Sequence, residues 1–331
     1  MKKIFDNLLN GKDLNLKQSK ELVESIFYER ISDLEISSIL TLLNIKIESG
    51  EEIFSFVNFL RKKCIKFPLK GNFMDTCGTG GDNKNSFNIS TATSILLSAC
   101  DVKIVKHGNR SVTSKSGSFD VLEALGININ LNINQQKEFF KKNGICFLFA
   151  PKFHESLKKV GYIRNKLPFR TIFNLLGPLL NPCKLKYQLL GVSKKENLKT
   201  HSLCLSKMQI NKAWVVYNLN GYDEITTISP NKIIEVKGDK IFSEKELNPC
   251  DFGFRICNEN DLKGGSPEEN AFIMRRLFEG ETGPIRDNVI FNTAAGLLVN
   301  EKVKNLNEGI EFAKNNIDNG KAIKKLEGLI N

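Results

Sequence analysis

From residue 72 onward, short apolar runs alternate with long connections that contain helical patterns. The runs VKIVKH (102–107), ICFLFAP (145–151), YQLLGV (187–192) and AWVVYN (213–218) have the length and the β-branched content of strands. Strands that alternate with long, partly helical connections are typical of α/β domains. The chain is therefore predicted to contain an α/β domain with a mostly parallel central sheet.

The first 66 residues have a different pattern, because apolar side chains recur there at helical spacing. Capping-box patterns, SDLE at 32–35 and SGEE at 49–52, mark two internal helix starts. The segment FPLKG (67–71) ends this periodicity with a proline and a glycine. We therefore predict a small N-terminal α-helical domain over 1–66, a linker, and a larger α/β domain over 72–331.

Three later segments allow narrower predictions. KIIEVKGDKIF (232–242) suggests a hairpin, and 267–280 and 304–328 have helical patterns. Three prolines make 165–183 an irregular crossing rather than a plain helix.

Composition excludes several classes of protein. With 331 residues, 41% hydrophobic and 26% charged, the chain matches an ordinary globular protein. Asp6 and Asn7 interrupt the first apolar run, and no run approaches the roughly 20 apolar residues of a membrane span, so we expect a cytoplasmic protein. Eight scattered cysteines without a C-x-x-C pair indicate reduced, mostly buried thiols. The net charge of +11 is spread along the chain and predicts only a bias toward anionic partners.

The segment DTCGTGGD (75–82) is the first candidate for chemistry. It precedes FNIST (87–91), which brings an asparagine and two hydroxyl side chains to the start of an apolar helical run. Backbone N–H groups at such a place bind phosphate, although one glycine cluster alone fits a tight turn with an ordinary N-cap equally well. Asn83 stands where G-x-G-x-x-G needs glycine, and no Gly-Lys-Ser/Thr follows, so neither common nucleotide motif is present.

A second candidate loop, KHGNRSVTSKSGS (106–118), follows the next predicted strand. Lys106, Arg110 and Lys115 supply positive charge, and serine and threonine hydroxyls surround them. Alone, this segment also fits a solvated surface loop. Two phosphate-binding loops on neighbouring strands favour a ligand that carries phosphate at both ends. For His107 we expect a local structural role rather than acid–base chemistry.

Two further features stand near predicted strands. Asp223 and Glu224 follow AWVVYN, where adjacent carboxylates suit Mg²⁺ coordination, although an acidic pair after a strand is more often a solvated turn. Arg164 and Arg170 flank a proline-bearing apolar stretch and could direct a guanidinium toward a substrate carboxylate. Two surface arginines on a helix crossing fit the spacing equally well.

Taken together, these motifs make the chain similar to the anthranilate phosphoribosyltransferase family. The matching segments, in the family's order, are DTCGTGGD (75–82), FNIST (87–91), KHGNRSVTSKSGS (106–118), DVLEALG (120–126), RTIFNLLGPLLNP (170–182) and GYDEIT (221–226). The resemblance implies transfer of the 5-phosphoribosyl group of phosphoribosyl pyrophosphate (PRPP) to the amine of anthranilate, in tryptophan biosynthesis. It implies a nucleoside phosphorylase/phosphoribosyltransferase-like fold, in which part of 155–185 completes a helical domain that forms homodimers.

The resemblance also implies roles for individual residues. Lys106 and Arg164 are the expected catalytic residues; Gly78, Asn109 and Arg164 match positions that contact anthranilate; Ser90, Asp223 and Glu224 match ligands of Mg²⁺, with two ions expected per site. The positions that match the family's PRPP contacts are Gly78, Gly81, Asp82, Ser86, Asn88, Ile89, Ser90, Thr91, Lys106, His107, Gly108, Asn109, Arg110, Ser111, Val112, Thr113, Ser114 and Ser118.

Two residues depart from the family pattern. Thr113 stands where serine is common and keeps the hydroxyl, whereas Phe119 stands where alanine is common. A bulky ring beside Ser118 is expected to repack the phosphate loop, which puts the role of Ser118 in question.

Alternatives remain at this point. A pyrimidine nucleoside phosphorylase would carry K-x-S-T-G-G in the first loop, where this chain has DTCGTGGD. A non-catalytic relative that binds nucleic acid is favoured only by the net charge of +11. A type I phosphoribosyltransferase needs a Thr- and Gly-rich phosphate loop after its acidic pair, and none follows Asp223 and Glu224. Association with an anthranilate synthase stays open.

Overall fold

Four helices form the N-terminal segment, as the periodicity predicts. They are α1 (Lys2–Leu9), α2 (Leu16–Phe27), α3 (Asp33–Lys46) and α4 (Gly50–Lys63). The computed structural model of the protein describes residues 1–111 and 115–330. Both predicted capping boxes are confirmed, because Ser32 pairs with Glu35 and Ser49 with Glu52 at the starts of α3 and α4. Each pair satisfies two N–H groups that the helix start would leave without partners.

The described residues form one eight-stranded sheet. Its strands are β1 (Met74–Gly78), β2 (Ile104–Gly108), β3 (Ile145–Phe149), β4 (Tyr187–Gly191), β5 (Lys212–Asn218), β6 (Asn231–Lys237), β7 (Lys240–Ile241) and β8 (Lys245–Leu247). The order is β3-β2-β1-β4-β5-β6-β7, and β8 pairs with β6. The first five strands are mutually parallel and the last three are antiparallel additions at one edge. The mostly parallel sheet and the hairpin between β6 and β7 are thus confirmed.

Helices connect the strands and cover the sheet. They are α5 (Ile89–Ala99), α6 (Ser118–Ala124), α7 (Ile133–Asn143), α8 (Ala150–Phe153), α9 (Lys158–Lys166), α10 (Ile172–Leu175), α11 (Glu196–Lys207), α12 (Pro267–Phe278), α13 (Pro284–Val299), α14 (Leu306–Asp318) and α15 (Lys321–Ile330). The helical pattern predicted over 304–328 is divided between α14 and α15, because Gly320 has φ +77°. Residues 165–183 contain only the end of α9, the four-residue α10 and a 3₁₀ turn, so the irregular crossing is confirmed.

Helix α13 has no counterpart among the helices predicted from the sequence. This helix is buried on nearly all of its sides, against α5 and α14 among others. A helix surrounded by protein has no polar face and therefore no one-sided periodicity that a sequence pattern could reveal.

Two hydrophobic cores lie on opposite faces of the sheet. Leu189 of β4 packs in the core formed with α5 and α12–α15, while the next residue, Leu190, packs in the core shared with the N-terminal helices. This alternation follows from the two-residue period of a strand. Phe173 of α10 packs against Phe27 and Phe56 of the N-terminal helices. The domain boundaries at 66 and 72 stay a prediction, since the core of these helices continues onto the sheet.

Two smaller expectations concern the thiols and the membrane. All eight cysteines are free, and six of them are buried. Within the described ranges, no helix has the length and apolar character needed to cross a membrane.

Candidate active site

A cleft of about 640 Å³ opens at the carboxyl ends of β1 and β2. It is lined by the loops that follow these strands, the start of α5, the crossing between α9 and α10, and the acidic pair after β5. Carboxyl ends of parallel strands share one edge of a sheet, which explains why segments distant in sequence meet here.

Most of the predicted site residues line this cleft. They are Gly78, Gly81, Asp82, Ser86, Asn88, Ser90, Lys106, His107, Gly108, Asn109, Arg110, Ser111, Ser118, Arg164, Asp223 and Glu224. Ile89 and Thr91 do not line it, because both are fully buried at the start of α5. Val112, Thr113 and Ser114 lie outside the described residues. The binding roles of all these residues stay predictions.

The shape of the glycine loop, residues 78–82, depends on its three glycines. Gly80 and Gly81 have φ values of +64° and +73°, a region that residues with a Cβ rarely adopt. A Cβ on Gly78 would lie 2.0 Å from Oδ2 of Asp223, and one on Gly191 of the neighbouring strand would lie 1.5 Å from the Asp223 carbonyl oxygen. Gly78 and Gly191 are paired across β1 and β4. Together they leave the space that the Asp223 segment fills.

Backbone donors hold the acidic pair, Asp223 and Glu224. The N–H of Gly80 donates to Oδ2 of Asp223 at 2.6 Å, and the N–H of Ser90 donates to Oε1 of Glu224 at 2.9 Å. Burial and the neighbouring Asp82 raise the pKa of Asp223 to about 7. Burial, Asp223 and Asp82 raise the pKa of Glu224 well above its usual value. In the part of the chain that the structure describes, these three carboxylates form no ion pair with Lys or Arg.

This donor set fits Mg²⁺. Mg²⁺ prefers hard oxygen ligands such as these carboxylates, whose negative charge no ion pair among the described residues balances. It is usually bound by one or two protein carboxylates, and phosphate oxygens of the substrate complete its coordination. Among residues 1–111 and 115–330, no three His, Cys, Asp or Glu side chains are grouped closely enough to hold an ion alone. Asp223 and Glu224 would therefore hold the ion together with oxygens from a bound ligand.

Lys106 connects the two predicted phosphate loops. Its Nζ donates to the Thr76 carbonyl at 2.5 Å and to Oγ of Ser90 at 3.4 Å, and the side chain is 1% exposed. Its positive charge favours the ionised form of Glu224. Lys106 thus lies at the floor of the cleft, between the end of β1 and the start of α5.

The structure separates the two arginines that the sequence left equivalent. Arg164 lines the cleft, its guanidinium carbon lies 5.6 Å from the centre of the Phe173 ring, and its buried Nε has no hydrogen-bond partner among the described residues. Arg170 also lines the cleft, but it donates to the carbonyl oxygens of Thr79 and Gly80. Arg164 keeps donor capacity for a ligand, whereas Arg170 uses its donors on the protein.

Two histidines line the cleft beside the crossing over 165–183, and we call this part, together with Arg164, the inner end of the cleft. The rings of His107 and His154 are 5.2 Å apart, and burial lowers their pKa values to about 3 and about 4. The Gly177 carbonyl faces the His107 ring and the Leu180 carbonyl faces the His154 ring, each as a hydrogen-bond acceptor. His154 was missed by the sequence analysis. Its position just after the end of β3 was the only available signal.

Phe119 does not displace Ser118. The Phe119 ring is fully buried and lies 5.1 Å from the Phe149 ring, on the core side of α6. Oγ of Ser118 donates to the Asn109 carbonyl at 3.2 Å and faces the cleft. The Phe119 ring therefore packs in the core beneath the loop, while the Ser118 hydroxyl stays bonded to the loop backbone.

Comparisons with known proteins agree with this architecture. A family model described as "Glycosyl transferase family, a/b domain" matches residues 70–323, and one described as "Glycosyl transferase family, helical bundle domain" matches residues 2–64. An anthranilate phosphoribosyltransferase of Acetivibrio thermocellus is 44% identical over 331 residues, which cover 100% of this chain and 96% of the relative. The chain belongs to the anthranilate phosphoribosyltransferase family.

Solved structures of this family show the same fold. The anthranilate phosphoribosyltransferase of Thermus thermophilus superimposes with a TM-score of 0.90 at 33% identity, covering 100% of this chain and 98% of the other. The Saccharomyces cerevisiae enzyme in complex with PRPP and Mg superimposes with a TM-score of 0.84 at 28% identity, covering 95% of this chain and 91% of the other. The small helical domain and the larger α/β domain of the predicted fold class are thus confirmed.

Proposed function

We propose that the protein transfers the 5-phosphoribosyl group of PRPP to the amine of anthranilate and releases pyrophosphate, as a step of tryptophan biosynthesis. The observation that carries the proposal is the meeting of the glycine loop, the start of α5 and the acidic pair in one cleft that Arg164 also lines. Membership of the anthranilate phosphoribosyltransferase family and the yeast relative's complex with PRPP and Mg support it.

The glycine loop and the start of α5 are assigned to PRPP. Breaking the bond between C1 of the ribose and the pyrophosphate builds negative charge on the leaving group. Backbone N–H groups and Lys106 can stabilise that charge, because Lys106 is already held by Thr76 and Ser90. Arg110 and Lys115, which also line the cleft, add positive charge. Mg²⁺, held by Asp223 and Glu224 with Ser90 nearby, would neutralise part of the same charge. Two ions per site are part of this proposal.

Arg164 and Asn109 are assigned to anthranilate. The half-buried guanidinium of Arg164 has an unused donor, so it can bind the carboxylate of the substrate. His107 and His154 are neutral near pH 7, since burial lowers both pKa values. Neutral rings at the inner end accept an uncharged aryl amine without adding positive charge beside the developing ribosyl cation. No nucleophilic residue is required, because the amine itself attacks C1.

The alternatives gain no support. The glycine loop has the sequence of the phosphoribosyltransferases rather than K-x-S-T-G-G, which counts against a pyrimidine nucleoside phosphorylase. The family to which the chain belongs also removes the reason to prefer a nucleic-acid-binding relative over an enzyme.

A homodimer formed through the N-terminal helices belongs to the same proposal. Leu34 and Ile45 lie on one side of α3 and are 81% and 72% exposed, and Leu9 of α1 is 66% exposed. Large apolar side chains that stay open to solvent on neighbouring helices are typical of association surfaces. A cytoplasmic location is proposed on the same basis as in the sequence analysis.

A fluorescence assay tests the proposed reaction. Anthranilate fluorescence is expected to fall only when PRPP and Mg²⁺ are both present, and omission of either is the matched control. A constant signal in a folded sample that instead binds DNA at micromolar concentration would support the nucleic-acid-binding alternative.

A further inference from the structure

Arg170 connects the glycine loop to α10, a helix that packs in the core of the N-terminal helices. Its NH2 group donates to the Thr79 carbonyl at 2.7 Å and to the Asn174 carbonyl at 3.4 Å, and its NH1 group donates to the Gly80 carbonyl. Thr79 and Gly80 belong to the glycine loop, whereas Asn174 belongs to α10. One guanidinium therefore holds a loop of the sheet and a helix of the crossing together.

The glycine loop is built around this guanidinium. A Cβ on Gly81 would lie 1.2 Å from NH1 of Arg170, so a glycine at this position leaves the space that the guanidinium occupies. The carboxylates of Asp82 and Asp223 attract the Arg170 charge. The two carbonyls of the glycine loop, the space left by Gly81 and the two nearby carboxylates thus define a single position for the Arg170 side chain.

The two residues that begin α10, close after Arg170 in the chain, are anchored in the core of the N-terminal helices. Ile172 and Phe173 of α10 are buried in that core, where the Phe173 ring lies 6.1 Å from Phe27 and 5.6 Å from Phe56. Phe173 also lies under the guanidinium of Arg164. Because Arg170 lies two residues before α10 in the chain, a shift of α10 would move Arg170 at the glycine loop.

We propose that Arg170 is a positioning residue that fixes the glycine loop for PRPP and couples its geometry to α10, and that it does not bind anthranilate. The inference rests on the proposed function, since it assigns the glycine loop to PRPP. Because the fork of a guanidinium holds two carbonyls at once, lysine at this position keeps the charge but cannot reproduce the geometry.

The test compares Arg170→Lys with Arg255→Lys, a matched substitution of an exposed arginine outside the cleft. For Arg170→Lys, we expect the KM for PRPP and the Kd of PRPP with Mg²⁺, measured by calorimetry, to rise about tenfold or more. The KM for anthranilate should stay within about twofold of the wild-type value, because the residues assigned to it keep their contacts. Arg255→Lys should match the wild type in every measurement.

A second variant separates positioning from general stability. Arg170→Ala is expected to weaken PRPP binding further, and millimolar methylguanidinium should restore part of the binding by occupying the same position. PRPP binding by this variant is compared with that of the wild type measured at the same methylguanidinium concentration. Loss of a residue needed only for folding would not be rescued in this way, so absence of rescue in a folded variant contradicts the inference.

Two outcomes would overturn the proposal. Wild-type affinity for PRPP in Arg170→Lys removes the positioning role, and a rise confined to the KM for anthranilate assigns Arg170 to that substrate instead. Failure of the proposed function is distinguishable, because the wild-type protein itself would then neither bind PRPP nor consume anthranilate.

Discussion

The two ends of the cleft differ in how their polar groups are satisfied. At the phosphate end, Asp223 and Glu224 accept from backbone N–H groups, and Lys106 donates to Thr76 and Ser90. At the inner end, the buried Nε of Arg164 has no hydrogen-bond partner among the described residues, while the Gly177 and Leu180 carbonyls face the rings of His107 and His154. The first end is organised by the protein before a ligand arrives, while the second depends on the ligand.

This difference matches the chemistry proposed for each end. Charge develops on pyrophosphate during the reaction, and donors that are already oriented stabilise it without rearrangement. Anthranilate brings its own carboxylate, which can accept from the guanidinium of Arg164. Buried polar atoms without partners cost about 1–3 kcal/mol each, so binding the correct ligand relieves a cost that the free protein carries.

Removing the charge of the acidic pair should have the largest effect. Asp223→Asn with Glu224→Gln is expected to lower kcat/KM on the order of 10³-fold, because the metal is then held by neutral ligands, and extra Mg²⁺ should restore part of it. Steady-state kinetics at several Mg²⁺ concentrations measure this. Asp239→Asn with Glu268→Gln, two exposed acids, is the control. Unchanged activity in the first double variant would remove the metal role.

Filling the space beside Asp223 tests the organisation of the phosphate end while every polar side chain is kept. Gly191→Ala places a Cβ 1.5 Å from the Asp223 carbonyl oxygen, so the Asp223 segment must move. We expect a loss of about 3 kcal/mol in the free energy of unfolding and a higher Mg²⁺ requirement. Gly328→Ala is the control, since nothing lies within 4 Å of its Cβ in α15. Equal urea midpoints for the two variants would contradict the steric argument.

Removing the guanidinium of Arg164 tests the assignment of the inner end to anthranilate. Arg164→Ala should raise the KM for anthranilate about tenfold to hundredfold, the loss expected for a charged hydrogen bond to a carboxylate, with little change in the KM for PRPP. Lys166→Ala removes an exposed positive charge from the same helix and serves as the control. A rise in the KM for PRPP alone would show that the two ends are assigned the wrong way round.

The smallest expected effect is on acid stability. His154 has its pKa lowered from 6.5 to about 4, so the unfolded chain binds a proton that the folded chain excludes. Its contribution to stability is complete above about pH 6.5 and is lost as the pH falls through about 4. In this window, His154→Gln should reduce the pH slope of the unfolding free energy by up to about 1.4 kcal/mol per pH unit.

Urea unfolding of the wild type and the variant between pH 7.5 and 4.5 measures the difference, with roughly unit steps in pH. His107 acts in the same direction, and Asp75, whose pKa burial raises to about 6, acts in the opposite one. Asp75 is common to the two proteins and cancels in the comparison. The pKa of His107 should rise in the variant, because the charge of His154 no longer lowers it, and this change reduces the pH slope in the same direction. Parallel stability curves would show that folding does not lower the pKa of His154.

Much of the fold was predictable because it depends on local periodicity. The capping boxes at Ser32 and Ser49, four of the five parallel strands and the hairpin between β6 and β7 all have signals within a few neighbouring residues. Helix α13 was not predicted, since complete burial removes the polar face that makes a helix visible in a sequence.

The sequence by itself determined which residue types the site contains and the order in which they occur, because glycine loops, basic loops and acidic pairs are local patterns. Only the tertiary structure decided how they are used. It put Arg164 at the inner end and Arg170 on the glycine loop, brought His154 beside His107, and set Gly191 against Asp223. Each of these contacts joins residues far apart in the chain, and packing between elements, which no local pattern encodes, is what brings them together.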